Sequence, residues 1–549
     1  MLAELGAECS VSPERPVNLT EDTGAGSGSK PASWSAGWVA TGGRFTPSML
    51  LLMVLIVGVL LMPLVFFRFQ RDQAHFAYVA WCWLKGLVPY ADLFSHQFPG
   101  QFMLYVGIFK LFGVSEIAVR TADLILQVSA GLALAGIVAR LTRPLTGIVA
   151  AILFAVQYVS MGPWNTSSRE TYQLAFLLPI TYWLMFGDLR PWLDKVVALV
   201  AGAVVMLVVL IKPTISLALL PLAWLIFSPG TSAQPPGVWR RRAPFLVLGG
   251  VLLAVLCGGL FAKHLAAAYE FLVTYNVEVY SKLAPLEGIR SQILSSFLFQ
   301  GLYFIPFVCL VWGRKQRPVL LRLLAINIGL IAAVLVQGRG FPYQLWAAVP
   351  FLLLWTVLFI DCIVERTFAS CRGSGERQFP LLAGMAVFLL VLGIPYGNLG
   401  VLSSYGGVLG DPSLTQDPLA PLWDETIAWI HSHVRPGEPV FFFGHDTGVP
   451  FLMRIPPISR ATTGVLDLRD EALNAHPLML RLRHRMMTDL ERDPPAWILV
   501  AVYDETWISK SGVKSIHSFP AFADFLRRGY QVVKSSPTAY VIFRRRPPA

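Results

Sequence analysis

The stretch that decides the fold is residues 48–78, which read SMLLLMVLIVGVLLMPLVFFRFQRDQAHFAY. Residues 48–67 carry no charged side chain, and a helix of about 20 such residues spans the hydrocarbon core of a bilayer. Charge returns directly afterwards, at Arg68, Arg71 and Asp72. The stretch therefore predicts a membrane-spanning helix that is followed by a carboxylate at the level of the lipid headgroups.

The rest of the chain has the composition of a multi-pass membrane protein. Of its 549 residues, 55% are hydrophobic and 14% are charged, whereas about a quarter of the residues of a soluble protein are charged. Apolar runs recur along the sequence, at 48–67, 120–139, 145–161, 172–187, 196–211, 213–228, 244–262, 293–312, 318–336, 345–361 and 379–395. They predict an α-helical fold with about eleven transmembrane helices.

The distribution of Lys and Arg predicts the orientation. Basic residues cluster in every second loop, at Arg140 and Arg143, Arg190 and Lys195, Arg240, Arg241 and Arg242, Arg314, Lys315 and Arg317, and Arg366, Arg372 and Arg377. Short loops rich in Lys and Arg stay in the cytoplasm. We therefore expect the N-terminus inside, and the loops 68–119 and 263–292 and the C-terminal region outside. This pattern accounts for most of the net charge of +11, so that charge does not indicate binding of nucleic acid.

The sequence divides into three parts. Residues 1–47 are rich in Gly, Ser, Pro and acidic residues, which predicts a disordered cytoplasmic tail. Residues 48–395 contain the apolar runs and form the predicted transmembrane domain. Residues 396–549 alternate helix-like segments with strand-like runs, which is typical of a small α/β domain, here expected to be periplasmic. The strand-like runs lie at 439–443, 496–502, 531–534 and 539–544. The six cysteines are scattered and form no disulfide framework or metal-binding pair.

The loop 68–119 carries the first candidate for chemistry. A carboxylate in the position of Asp72 suits a general base that deprotonates an acceptor hydroxyl. Its neighbour Arg71 is expected to lower the pKa of Asp72 and to keep it ionised. The plainer alternative is a solvated acid at a helix end. Residues 98–112 are apolar but too short to span comfortably, so they predict a helix that lies at the membrane interface.

The next loop, 163–170, ends in a base and an acid, Arg169 and Glu170, at one membrane edge, so Glu170 is a second candidate for chemistry. The alternative is helix-capping chemistry, since Ser167 or Ser168 followed by Glu170 fits a capping pattern. In the C-terminal region, the pair His445-Asp446 follows a strand-like run and is interpreted as a tight turn, not as a metal site or a catalytic pair.

Two single cations, Lys212 and Arg339, lie at predicted outer membrane edges. Cations at this side run against the positive-inside pattern, so each is expected to have a partner. A polyprenyl phosphate fits, because a fixed cation also stabilises a phosphate as it leaves. The alternative is that the two side chains extend to the headgroups without a specific partner.

Several residues of the loop 68–119 together resemble the first loop of the GT-C superfamily. The most similar branch contains the protein O-mannosyltransferases and the lipid A aminoarabinose transferases. The residues that carry the resemblance are Asp72, Tyr78, Gly86, Pro89, Tyr90, Asp92, His96, Gln97, Pro99, Gly100, Phe112, Gly113 and Arg120. They cover about fifty residues by motif, while the predicted topology extends the resemblance over the whole chain.

The resemblance implies a GT-C fold and an enzyme that moves a sugar from a polyprenyl-phosphate donor to a hydroxyl acceptor. The acceptor is a glycan, lipid or protein of the cell envelope, and the site faces the outside of the inner membrane. The implied roles are catalysis for Asp72 and Glu170; donor-phosphate binding for Lys212, Arg339 and Arg71; and substrate binding for Tyr78, Asp92, His96, Gln97 and Tyr343.

Two positions depart from the family pattern. Gln73 stands where Glu is common, and Phe98 replaces a usual proline. With Gln at position 73, the loop lacks the two adjacent carboxylates of a metal site, and no metal ligand is assigned. The sequence leaves undecided whether the protein uses a divalent cation as a cofactor. Gln73 cannot accept a proton, so we expect its loss to cost less than that of Asp72.

The interpretation is an inverting transfer with Asp72 as the base. The main alternative is a transporter or flippase for a lipid or solute, which predicts ionisable residues in mid-helix and repeat symmetry. The polar residues noted within the apolar runs, Gln127, Gln157 and Asn327, are uncharged. A third alternative is a non-catalytic scaffold of the cell envelope, which tolerates the loss of Asp72.

Overall fold

The computed structural model describes residues 45–227, 237–283, 309–310, 317–337, 344, 346–371, 400–410, 419–461, 468–503 and 511–547. Arg339 and Tyr343 lie outside these residues. So do the predicted span 379–395, almost all of the predicted span 293–312 and almost all of the predicted tail 1–47.

The part of the chain before residue 411 is helical wherever it forms regular structure in the described residues. Its helices are α1 (Pro47–Leu61), α2 (Arg71–Leu84), α3 (Pro99–Phe112), α4 (Glu116–Leu141), α5 (Pro144–Ser160), α6 (Gly162–Asn165), α7 (Arg169–Phe186), α8 (Pro191–Ile211), α9 (Ser216–Phe227), α10 (Val238–Phe261), α11 (Leu265–Tyr269), α12 (Asn276–Glu278), α13 (Arg317–Gln337), α14 (Val349–Cys371) and α15 (Gly400–Gly410). Short 3₁₀ or π segments are Met62–Phe66, Pro213–Ile215, Ala262–His264, Glu270–Tyr275 and Tyr280–Leu283.

Five helical segments in the described residues are long and apolar enough to cross a membrane: Pro47–Phe66, Glu116–Leu141, Pro191–Ile211, Val238–Leu283 and Arg317–Gln337. Shorter apolar helices are Pro144–Ser160, Pro213–Trp224 and Val349–Val364. Each of these eight segments coincides with a predicted apolar run, and α7 coincides with a ninth. The helical membrane fold is thereby confirmed, while the count of about eleven helices stays a prediction.

Two helices of the loop 68–119 lie between the first two spans. Helix α2 begins after Gln70, whose side chain accepts a hydrogen bond from the backbone N–H of Asp72 at 3.0 Å. Helix α3 begins at Pro99, as the apolar run 98–112 predicts. A Cβ at Gly100 would collide with the backbone of Leu210 and Ile211 at the end of α8. This close approach places the loop beside Lys212.

The C-terminal region contains a four-stranded mixed sheet. Its strands are β1 (Val440–Phe443), β2 (Trp497–Ala501), β3 (Tyr530–Ser535) and β4 (Tyr540–Arg545), in the order β1-β2-β4-β3. Strands β1 and β2 are parallel, and the other two pairs are antiparallel. All four strands overlap the strand-like runs of the sequence. Helices around the sheet are α16 (Ala420–His433), α17 (Gly448–Met453), α18 (Glu471–Asn474), α19 (Pro477–Arg492), α20 (Gly512–Ser518) and α21 (Pro520–Gly529).

The loop 68–119 and the C-terminal region share one hydrophobic core, which is separate from the core among the spanning helices. The rings of Phe109 and Phe451 stack with their centroids 6.0 Å apart. At the edge of this core, Arg68 forms ion pairs with Glu116 at 3.1 Å and Asp424 at 3.3 Å. The apolar surface that is buried in this shared core stabilises the packing of the C-terminal region against the loop.

Candidate active site

Asp72 lies in the first turn of α2, at the edge of a group of charged side chains. Burial raises the pKa of the Asp72 carboxyl above its usual value, although Arg169, Lys212 and Arg71 act against this rise. Arg71 lowers the pKa of Asp72, as expected, but desolvation is the larger effect and the net shift is upward. In the described part of the chain, no side chain or backbone group forms a hydrogen bond with the Asp72 carboxylate, so its oxygens stay available.

Glu170 and Lys212 form a buried ion pair beside Asp72. The Lys212 Nζ donates to Glu170 Oε1 at 2.5 Å and also to Gln337 Oε1. Glu170 is 1% exposed, and its second oxygen, Oε2, has no partner among the described residues. Burial lowers the pKa of Lys212 to about 8, while Glu170 raises it. Glu170 and Lys212, which come from two separate loops, thus form an ion pair in which one oxygen of the Glu170 carboxylate is unused.

Arg169 is a central cation that the sequence interpretation left without a role. Its Nη1 donates to Gln97 Oε1, and its guanidinium lies 5.7 Å from the centre of the Phe76 ring. Arg169 is the strongest charge acting on Asp72, and it also acts on Lys212. In the sequence, only the position of Arg169 next to Glu170 indicated that it could belong to the site.

His96 and Gln97, predicted as substrate-binding residues, reach this group through Arg169. The Gln97 Nε2 lies 2.8 Å from His96 Nε2, and the His96 ring packs against Tyr280 with centroids 4.4 Å apart. The Gln97 carbonyl accepts a hydrogen bond from the Tyr90 hydroxyl at 2.7 Å. These contacts hold the His96-Gln97 segment beside the charged group.

Three other predicted site residues make contacts elsewhere. The Nη2 of Arg71 donates to the Tyr503 carbonyl at 2.8 Å, so this guanidinium faces the C-terminal region. The Tyr78 hydroxyl donates to the Ile455 carbonyl at 3.0 Å. Asp92 accepts a hydrogen bond from the backbone N–H of Val88 at 2.8 Å and thereby closes a turn.

A buried network holds the loop that presents Arg169 and Glu170. Arg120 is fully buried and donates to the hydroxyls of Thr166 and Ser167 at 3.1 and 2.8 Å. The Ser167 hydroxyl in turn donates to Asp123 at 2.8 Å. Ser167 has a φ of 52°, a left-handed conformation that is costly for a residue with a Cβ. The network therefore stabilises a strained turn directly before α7.

Asp123 and Gln73 are buried polar residues whose burial hydropathy does not show. Asp123 is a fully buried acid in the second turn of a spanning helix. Gln73 is also fully buried: it donates to the carbonyls of Pro163 and Thr166 and accepts from Arg120. Its amide nitrogen makes bonds to carbonyls that a carboxylate cannot make, so Gln73 joins the two loops and is not dispensable for structure.

The His445-Asp446 segment is a turn, as the sequence interpretation has it. Asp446 accepts hydrogen bonds from the Gly448 N–H at 2.7 Å and the Tyr503 hydroxyl at 2.6 Å, and from the Trp423 indole. In the described residues, no group of three His, Cys, Asp or Glu side chains has a geometry that could hold a metal ion.

One protein family and several solved structures are similar to this chain. The family model described as dolichyl-phosphate-mannose-protein mannosyltransferase matches residues 96–258. The crystal structure of ArnT from Cupriavidus metallidurans bound to undecaprenyl phosphate is similar over 90% of this chain and 97% of its own, with 14% identity and a TM-score of 0.56. The oligosaccharyltransferase of Archaeoglobus fulgidus, tethered with an acceptor peptide, is similar over 92% of this chain and 74% of its own, with 12% identity and a TM-score of 0.49. No curated protein sequence matches the chain.

The similarity to ArnT shows the fold, since it covers nearly the whole of both chains. The chain therefore has a GT-C-like helical membrane fold, as the resemblance of its first loop implies.

Proposed function

We propose that this membrane protein of GT-C type moves a sugar from a polyprenyl-phosphate donor to a hydroxyl acceptor of the cell envelope. The observation that carries the proposal is the convergence of Asp72, Arg169, Glu170 and Lys212 from three separate loops. A group with one carboxylate free of hydrogen bonds and two cations suits a reaction in which a hydroxyl loses a proton and a phosphate leaves. The match to the mannosyltransferase family model and the undecaprenyl phosphate bound to ArnT support the choice of donor.

In the proposed mechanism, the Asp72 carboxylate takes the proton of the acceptor hydroxyl. The acceptor oxygen forms a bond to the anomeric carbon, from the face opposite the phosphate. The bond between the anomeric carbon and the phosphate oxygen breaks, and the electron pair leaves with the polyprenyl phosphate. Arg169 and Lys212 stabilise the charge that develops on that phosphate. The configuration at the anomeric carbon inverts.

The roles of Asp72 and Glu170 differ because their surroundings differ. Asp72 has a raised pKa and no hydrogen-bond partner among the described residues, which suits a base. Glu170 is paired with Lys212. We assign Glu170 to holding Lys212 in place and, through its unused Oε2, to orienting the acceptor hydroxyl.

The transporter alternative predicts ionisable residues in mid-helix and repeat symmetry. Two buried acids of the described spans, Asp123 and Asp194, lie near the starts of their helices and have fixed partners. Asp123 accepts from Tyr158, Ser167 and Gln127, and Arg242 forms an ion pair with Asp194 at 2.8 Å. The scaffold alternative gives no reason for buried, partly unpaired charges at one edge of the membrane.

The proposal places the site at the outer face of the inner membrane, since the basic loops alternate along the sequence. A reporter that is active only in the periplasm should be active when fused after Ala549 and silent when fused after Arg372. The C-terminal region packs on the loop that carries Asp72, so one fusion reports the side of both. The reverse result would put the site in the cytoplasm and contradict a donor taken from the outer leaflet.

Donor binding should depend on pH through Lys212. Its pKa is lowered to about 8, so the cation is present below that pH and lost as the pH rises through it. The affinity of the purified protein for undecaprenyl phosphate should therefore fall above about pH 8. Lys212→Arg keeps its charge at these pH values, so this variant should bind with a weaker pH dependence. Titrations of both proteins in nanodiscs between pH 6 and 10 test this, and superimposable profiles would remove Lys212 from the phosphate site.

A further inference from the structure

Two buried polar atoms at the junction of α2 and α17 have no partner among the described residues. They are Nδ1 of His75, in the second turn of α2, and the hydroxyl Oγ1 of Thr447, directly before α17. Thr447 is fully buried, and α17 packs against α2. Burying a polar group without a hydrogen-bond partner is unfavourable, so two such atoms on packed elements indicate a place for a ligand.

The chemistry of the two atoms restricts the ligand. His75 Nε2 lies 3.1 Å from the Ser95 hydroxyl. Burial lowers the pKa of His75 to about 3, with smaller effects of the same sign from His445 and Arg169, so the ring is neutral. Its Nδ1 is then either a donor or an acceptor, and a threonine hydroxyl is both. A hydroxyl group matches both atoms in every arrangement, whereas a phosphate only accepts and an ammonium group only donates.

The position of the two atoms indicates which molecule supplies the hydroxyls. His75 follows Asp72 by three residues on α2, so the two side chains lie on the same face of the helix. Arg169 acts electrostatically on both. A sugar whose phosphate is held by Arg169 would extend from that phosphate toward His75. His445, in the C-terminal region, acts electrostatically on His75, and Arg71 acts on His445.

We propose that His75 and Thr447 bind hydroxyl groups of the sugar in the lipid-linked donor. The inference rests on the proposed function. It makes the C-terminal region part of the donor site, because Thr447 belongs to that region while His75 belongs to the first loop.

The test compares lipids with and without a sugar. The probes are undecaprenyl phosphate and its glucose, mannose and arabinose derivatives, titrated against the full-length protein in nanodiscs. The wild type should bind at least one sugar-bearing lipid more tightly than undecaprenyl phosphate. His75→Phe and Thr447→Val should each reduce this gain by about 2- to 10-fold, as expected for one lost hydrogen bond, and should leave the affinity for undecaprenyl phosphate unchanged. The unchanged affinity also shows that each variant is folded.

Matched controls are His431→Phe and Thr488→Val, which make the same changes at exposed positions and should retain the gain. The subsite is overturned if the variants at positions 75 and 447 keep the full gain, or if no sugar-bearing probe binds more tightly than undecaprenyl phosphate. A wild-type protein that does not bind undecaprenyl phosphate would instead overturn the proposed function, and the subsite with it.

Discussion

Asp72→Asn should lower the rate of sugar transfer by about 10²–10⁴-fold, the contribution of a general base. Asparagine keeps the shape of the side chain and cannot take a proton. The Asp72 carboxylate makes no hydrogen bond to any described residue, so the substitution breaks no such bond and stability should stay near that of the wild type. The measurement is turnover of a polyprenyl-phosphate sugar in detergent, with thermal unfolding recorded in parallel.

The matched control for this prediction is Glu170→Gln. It also replaces a carboxylate by its amide, but it removes the charge that holds Lys212. We expect it to weaken donor binding and to leave more catalytic turnover at saturating donor than Asp72→Asn does. An inactive Glu170→Gln beside an active Asp72→Asn would show that the base is misassigned. Gln73→Ala is a poor control, because Gln73 bonds to Pro163, Thr166 and Arg120.

Lys212→Ala should have the second large effect, on donor affinity. In the proposed complex, Lys212 pairs with the donor phosphate. Truncation of one member of a charge pair that is buried on binding costs about 2–5 kcal/mol, and a loss of 2 kcal/mol weakens binding by about 30-fold. The affinity for undecaprenyl phosphate should fall by at least this factor. The sequence alone predicts normal expression of the variant. The structure predicts instead that the variant is less stable than the wild type, because Glu170 would be left buried without its partner.

The double variant Lys212→Ala, Glu170→Gln separates the two effects. Removing both charges should restore part of the stability and none of the donor affinity. Lys110→Ala, at an exposed lysine at the end of α3, is the control for a general loss of positive charge. If Lys212→Ala binds undecaprenyl phosphate like the wild type, Lys212 has no role in phosphate binding.

The fold was predictable where local sequence decides it. A run such as 48–67 is long and apolar enough to require a bilayer whatever surrounds it, and the described spans follow these runs. Strand β2 was predictable because its segment Trp497–Ala501 is short and continuously apolar, which is typical of a buried strand. The sequence also predicts a helix over 471–492, which the structure divides into α18 and α19, because Pro477 begins a helix and does not continue one.

The candidate site was predictable in part. Asp72, Glu170 and Lys212 were selected because each lies at the end of an apolar run on one predicted side of the membrane, and ends on one side can meet. The direction of each side chain was not predictable. Arg71 and Arg169 are both cations beside a candidate acid, yet Arg71 bonds to Tyr503 and Arg169 faces the site. That difference depends on contacts between parts of the chain far apart in sequence.

Burial was the second quantity that the sequence did not supply. Arg71 is adjacent to Asp72 and lowers its pKa, but desolvation by burial is the larger effect and the net shift is upward. Gln73 stands where the family pattern has Glu, and in the structure it is a buried amide that joins two loops. Neither effect was predictable, since hydropathy does not show which polar residues become buried when loops pack together.

The central claim, transfer of a sugar from a polyprenyl phosphate by a site that contains Asp72, is tested most directly in cells. A strain that lacks the gene is complemented with the wild-type or the Asp72→Asn allele, and its envelope glycans and polyprenyl-phosphate sugars are measured by mass spectrometry. Our account predicts that one glycan, lipid or protein lacks a sugar and that the matching lipid-linked sugar accumulates, both without the gene and with Asp72→Asn, while the wild-type allele restores both. Glycan and lipid profiles that are the same in all strains, or a full rescue by Asp72→Asn, would contradict it.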